Sequence, residues 1–79
     1  MERGIVIWFS DLKGYGFIRP LKGGSDAFVH HSSIVKDGYR TLRKAEFVDF
    51  ELVDRKGRAA AINVTPIASG TGGNGDGQQ

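Results

Sequence analysis

Three short stretches of this sequence set flat rings beside positive charge: Trp8-Phe9, Lys13-Gly-Tyr-Gly-Phe-Ile-Arg19 and Phe28-Val-His-His31. Such a set can stack on planar partners, with ammonium and guanidinium groups left to meet anions. In an extended segment successive side chains point to opposite faces, so Tyr15 and Phe17 share one side while Gly16 and Ile18 share the other. The same rule groups Phe28 with His30, opposite Ala27 and Val29. The aliphatic residues Val6, Ile18, Ala27, Val29, Val48, Ile62 and Val64 make a candidate core. That leaves Tyr15, Phe17, Phe28 and His30 outside, beside Lys13 and Arg19, with Trp8 joining them. The chain holds eight aromatic residues, more than one small barrel can enclose together with that aliphatic set. Gly14 and Gly16, having no Cβ, let backbone or a neighbouring ring come close.

The planar partners that suit such a surface are unpaired bases. Every base has a π-face, so stacking tolerates many sequences at roughly 1–3 kcal/mol per base, while Lys and Arg neutralise phosphates. Charge is placed accordingly: residues 1–45 carry eight basic against four acidic side chains, residues 46–79 three against five. A polyanion is drawn to the first half.

The elements that must position these residues read as strands with no helix. Ile5–Ser10 is β-branched and aromatic, Asp11-Leu-Lys-Gly14 is a turn, and Tyr15–Pro20 forms a second strand. Lys22-Gly-Gly-Ser25 closes it, and Asp26–His31 forms a third, giving two hairpins. Residues 32–45 read as a long loop with one 3₁₀ turn at Ser32-Ser-Ile34. Glu46–Asp54 alternates Val48, Phe50 and Leu52 against a wetter face, and Arg55-Lys-Gly-Arg58 leads into a last strand, Ala59–Thr65, with Ile62 and Val64 inward. Five strands in about 65 ordered residues imply an all-β, closed or nearly closed antiparallel barrel, because an open sheet would leave two edges and an apolar face bare. Residues 1–67 are expected to form the one domain, and 68–79, glycine-rich and without apolar side chains after Ala68, a flexible tail.

The 79 residues include no cysteine, which excludes disulfides and thiolate metal sites and suits a reducing compartment. The opening Met1-Glu-Arg-Gly4 lacks the apolar stretch of a signal peptide and no run has the length of a membrane span. A cytoplasmic, monomeric protein without cofactor, metal, membrane association or small-molecule substrate is expected.

Gly4-Ile-Val-Ile-Trp-Phe-Ser10, Lys13-Gly-Tyr-Gly-Phe-Ile18 and Asp26-Ala-Phe-Val-His-His-Ser32 resemble the opening strands of bacterial cold-shock proteins and of the cold-shock domain in Y-box and plant glycine-rich proteins. Gly38-Tyr39, Leu42, Val48-Asp-Phe50 and Ala61-Ile-Asn-Val64 follow in that family's order, so the resemblance covers about residues 3–65. It implies a five-stranded OB-type barrel that binds single-stranded RNA and DNA, commonly as an RNA chaperone. By matching position it implies contacts at Trp8, Lys13, Tyr15, Phe17, Phe28 and His30, with His31 and Tyr39 beside them. Phe9, part surface and part packing, and Arg58 in the basic turn complete the candidate set. The chain departs from the family pattern at Ile7, where Lys is usual, and at Ser10, where Asn is typical. Arg43-Lys-Ala-Glu46 replaces an acidic-then-Gly turn, making this loop more basic.

Three other readings compete. An RNA-recognition motif also uses a Gly-aromatic-Gly-aromatic strand but needs two amphipathic helices, for which no window has the spacing. Catalysis or metal binding would have to use Asp26, His30 and His31, and adjacent strand residues such as His30 and His31 face opposite ways. A protein-binding barrel would use the same rings as an apolar patch, but protein interfaces shed Lys from their centre, where Lys13 stands.

Overall fold

Five runs of β-branched and aromatic residues become strands in the computed structural model, which describes residues 1–35 and 41–67. They are β1 (Glu2–Ser10), β2 (Tyr15–Pro20), β3 (Ala27–His30), β4 (Phe47–Arg55) and β5 (Arg58–Pro66), with a 3₁₀ turn at His31–Ser33. The strands close into a barrel in the order β1-β2-β3-β5-β4. Closure seals the apolar face, the outcome expected for so short a chain. The barrel is mixed rather than wholly antiparallel: β3 and β5 run parallel, paired at Phe28↔Ala60, with a second parallel bridge at Ile34↔Val64. Two hairpin connections carry β1 into β2 and β2 into β3, and the chain must then cross over to reach β4 and β5.

The period-2 pattern holds where it matters most. In β2 and β3 Gly16, Ile18, Ala27 and Val29 are buried while Phe17, Phe28 and His30 are exposed and Tyr15 half-buried. The core comprises Val6, Ile18, Ala27, Val29, Ile34, Leu42, Val48, Phe50, Ala61 and Val64, with Phe50 its largest side chain.

In β1, strict alternation would send Val6 and Trp8 to the same side. A bulge between them, where Val6 pairs with Ile18 but Trp8 already pairs with Phe17, turns Val6 inward and Trp8 outward. A second irregularity corrects the reading of β5. From Asp49 to Glu51, β4 advances two residues while β5 retreats three, from Thr65 to Ile62. The extra residue bends β5 at Asn63, which takes φ 51. The inward positions become Ala61 and Val64, and Ile62, expected in the core, is only half-buried. Leu52, also expected inward, is 38% exposed. Beyond Phe50, which pairs with the strand's first residue Glu2, β4 has no β1 neighbour, so its hairpin with β5 runs past the barrel wall. That hairpin closes through Lys56 and Gly57, both at positive φ, as a two-residue turn requires.

Residues 68–79, read from the sequence as a tail, and Tyr39 lie outside the described residues.

Candidate nucleic-acid interface

Cross-strand pairing assembles the rings. Tyr15 lies opposite His30 and Phe17 opposite Phe28, and the β1 bulge sets Trp8 opposite Phe17. Residues paired in this way share a face of the sheet. The ring centroids form a chain, Trp8 to Tyr15 at 5.8 Å, Tyr15 to Phe28 at 5.5 Å and Phe28 to Phe17 at 5.9 Å. The end contacts are T-shaped, so the rings brace one another without stacking face to face. Trp8, Phe17 and Phe28 keep 42%, 37% and 38% of their surface in water. Large apolar side chains held open together on one face of a small domain mark a binding surface.

Two glycines make this face possible. A Cβ on Gly16 would sit 2.1 Å from the Trp8 carbonyl oxygen and 2.7 Å from the Phe9 Cα, so β1 and β2 meet at this spacing only over glycine. Gly14 takes φ +77, and its bare Cα faces the His31 ring, which a Cβ would approach to 2.8 Å. His31 packs over the β1–β2 turn, tied down by its own N–H, which donates to the Gly14 carbonyl at 2.8 Å.

The two histidines correct an expectation. Taken as strand neighbours they should face opposite ways, yet their ring centroids are 4.4 Å apart. The strand ends at His30, and the 3₁₀ turn beginning at His31 swings the second ring back beside the first. The His30 Nδ1 accepts from the Ser32 N–H at 3.2 Å and lies 2.8 Å from the Ser32 hydroxyl. A backbone N–H can only donate, so the neutral ring carries its hydrogen on Nε2.

Phe9 pairs with buried Gly16 and packs half-buried against the core, so the structure does not bring it to the ring face. Arg19 emerges on the ring side of β2, but its guanidinium is bound to Asp26 at 3.2 Å, which offsets its charge locally. Lys13 stands on a turn fixed by hydrogen bonds from its own N–H to the Ser10 hydroxyl and from the Gly14 N–H to the Ser10 carbonyl. Neither Lys13 nor Arg58 enters an ion pair among the described residues.

A groove of about 560 Å³ opens between the rings of Phe17, Phe28 and His30 and the facing stretch Arg58–Ile62 of β5. Ala59, Ala60 and Ala61 line this space, and Arg55 and Arg58 flank it. Arg55 stands in this groove outside the candidate set drawn from the sequence. The basic run Arg55-Lys-Gly-Arg58 was visible, but its place beside the rings depends on the parallel pairing of β3 with β5, which no local pattern reveals.

Comparison with known proteins agrees with this geometry. The family model described as the 'Cold-shock' DNA-binding domain matches residues 2–67. Cold shock-like protein CspC of Escherichia coli is 46% identical over 65 residues, covering 82% of this chain and 94% of that protein. Cold shock domain-containing protein 4 of Arabidopsis thaliana is 46% identical across 94% of this chain, and Glycine-rich protein 2 of Nicotiana sylvestris 50% identical across 80%. The chain spans only 40% and 30% of those two plant proteins. Among solved structures, drosophila Unr CSD456 superposes with a TM-score of 0.73 at 19% identity, over 91% of this chain and 29% of that one, a likeness of fold alone. From its second residue to its sixty-seventh, this chain belongs to the cold-shock domain family of nucleic-acid-binding proteins.

Proposed function

We propose that this domain binds unpaired RNA or DNA by stacking bases on the outward rings of β1, β2 and β3, with little dependence on base sequence. The observation that carries this reading is the unbroken chain of contacts from Trp8 through Tyr15 and Phe28 to Phe17, each ring partly in water. Stacking supplies roughly 1–3 kcal/mol per base whichever base is present. Lys13 on one side and Arg55 and Arg58 along the groove offer cations for the phosphates. His30 and His31 extend the planar surface at its β3 end. A protein with such a face acts as a chaperone for RNA without consuming nucleotide. Binding only the open strand pulls the equilibrium away from the duplex by mass action.

Titration of the protein with oligothymidine at low salt, followed through Trp8 emission, tests this reading. Saturable quenching that weakens steeply as salt rises is expected. Unchanged emission across the titration would defeat it.

A further inference from the structure

The most exposed phenylalanine, tyrosine or tryptophan among the described residues lies off the face just considered. Phe47, at the start of β4, is 49% exposed, more than Trp8 or Phe28. A ring left half in water contributes little to the core, so packing alone does not account for it. Its cross-strand partner is Ile5 on the outer side of β1, half-buried. Ile5 and Trp8 are three residues apart on β1, about 10 Å at roughly 3.3 Å per residue.

The turn that precedes Phe47 lies along this path. The Glu46 N–H donates to the Arg43 carbonyl at 3.0 Å, and the Arg43 N–H donates to the Glu46 carboxylate at 2.8 Å. Two further bonds, Val6 N–H to the Glu46 carbonyl and Ala45 N–H to the Val6 carbonyl, dock the turn against β1 at Val6, beside the bulge that turns Trp8 outward. Arg43 and Lys44 are exposed in this turn, in no ion pair among the described residues. The nearby carboxylates are held elsewhere, Glu46 by the turn itself and Asp49 by Arg3 at 3.1 Å. The surface running away from Trp8 thus has an apolar strip, Ile7 to Ile5, then an open ring, with two cations alongside that enter no ion pair among the described residues.

We infer that the path of a bound single strand continues past Trp8 onto the β1–β4 seam, where Phe47 stacks a further base and Arg43 and Lys44 meet the phosphates leading to it. This rests on the ring-face reading above. Lys44, in no ion pair among the described residues, favours a polyanion over an apolar protein partner, since protein interfaces are depleted of Lys.

The test compares oligothymidines from about four to about twelve nucleotides, within the site sizes of such folds, on the intact chain by Trp8 emission. Wild type should gain affinity with length beyond what the platform needs. Phe47→Ser should lower affinity for the long oligomer by roughly 5- to 150-fold, one stacked base, and leave the short one unchanged. Phe47→Tyr, which keeps a ring, should bind like wild type. Arg43→Gln with Lys44→Gln should reduce the salt slope for the long oligomer alone by about 1.4, two phosphate contacts' worth. Circular dichroism of each variant checks the fold, and the glutamine pair, in an exposed turn, tests the inference if the serine variant unfolds. Long-oligomer affinity and salt slope unchanged in the folded variants would overturn the extension while the platform stands. Self-association of wild type that Phe47→Ser abolishes, with nucleic-acid binding unaltered, would assign the ring to a protein contact and equally overturn it. Failure of wild type to bind even the short oligomer would remove the platform reading, and the extension with it.

Discussion

Phe28 is an inner link in the chain of rings, and its replacement by alanine separates binding from folding. It touches two rings, Tyr15 at 5.5 Å and Phe17 at 5.9 Å, whereas Phe17 touches Phe28 alone among the described rings. At about 0.5–1.5 kcal/mol per ring pair, Phe28→Ala should destabilise the domain by about 2 kcal/mol, and Phe17→Ala by about half that. The 62 described residues imply a stability of about 3–9 kcal/mol, so even the larger loss leaves at least about 1 kcal/mol. Unfolding would then remove less than about a fifth of the protein and lower apparent affinity by well under twofold. Loss of a stacked base predicts far more, about 1–3 kcal/mol or roughly 5- to 150-fold for each variant. Urea denaturation gives the first quantity and oligothymidine titration through Trp8 the second; Trp8 contacts Tyr15 rather than Phe28, so the reporter survives. A folded Phe28→Ala protein with wild-type affinity would refute the reasoning.

Other changes probe other links. Gly16→Ala forces a Cβ to within 2.1 Å of a backbone oxygen that cannot rotate away; a loss of about 3 kcal/mol or more is expected in denaturant melts, and unaltered stability would mean that β1 and β2 are spaced differently. Ala45 holds φ 71 in the Arg43–Glu46 turn, so Ala45→Gly should stabilise by up to about 1 kcal/mol, relief of left-handed strain less the entropy glycine adds to the unfolded chain. A lower melting midpoint would contradict that turn geometry. Arg58→Gln should flatten the dependence of log K on log salt by about 0.7, one phosphate contact, measured by the same titration at several salt concentrations, and an unchanged slope would free Arg58 of that role.

Much of this arrangement was legible in the sequence because it is local. Tyr15-Gly-Phe-Ile18 and Ala27-Phe-Val-His30 alternate, and the two-residue period of a strand divides rings from aliphatics without reference to the rest of the chain. The turn residues were equally plain. What escaped depends on contacts between distant segments. Alternation with Val64 assigns Ile62 to the core, but a residue added to β5 opposite β4 breaks that alternation, and a bulge is a property of two strands together. Leu52 keeps the pattern of a core residue at a position where the barrel wall has ended. His30 and His31 were separated by a strand rule that stops applying one residue earlier than supposed. Trp8 was placed correctly on the outside with Val6 inside, although a regular strand forbids the combination, and the bulge at Ile7 supplies the missing half-turn.

The most direct trial of the account is a nuclear magnetic resonance titration of the folded chain with a short oligothymidine, following ring and backbone signals along every strand. Large shifts should gather on Trp8, Tyr15, Phe17, Phe28 and His30, with the outer faces of β4 and β5 at Thr65 and Asp49 quiet. Shifts centred on those quiet positions, with the ring signals unmoved, would contradict it.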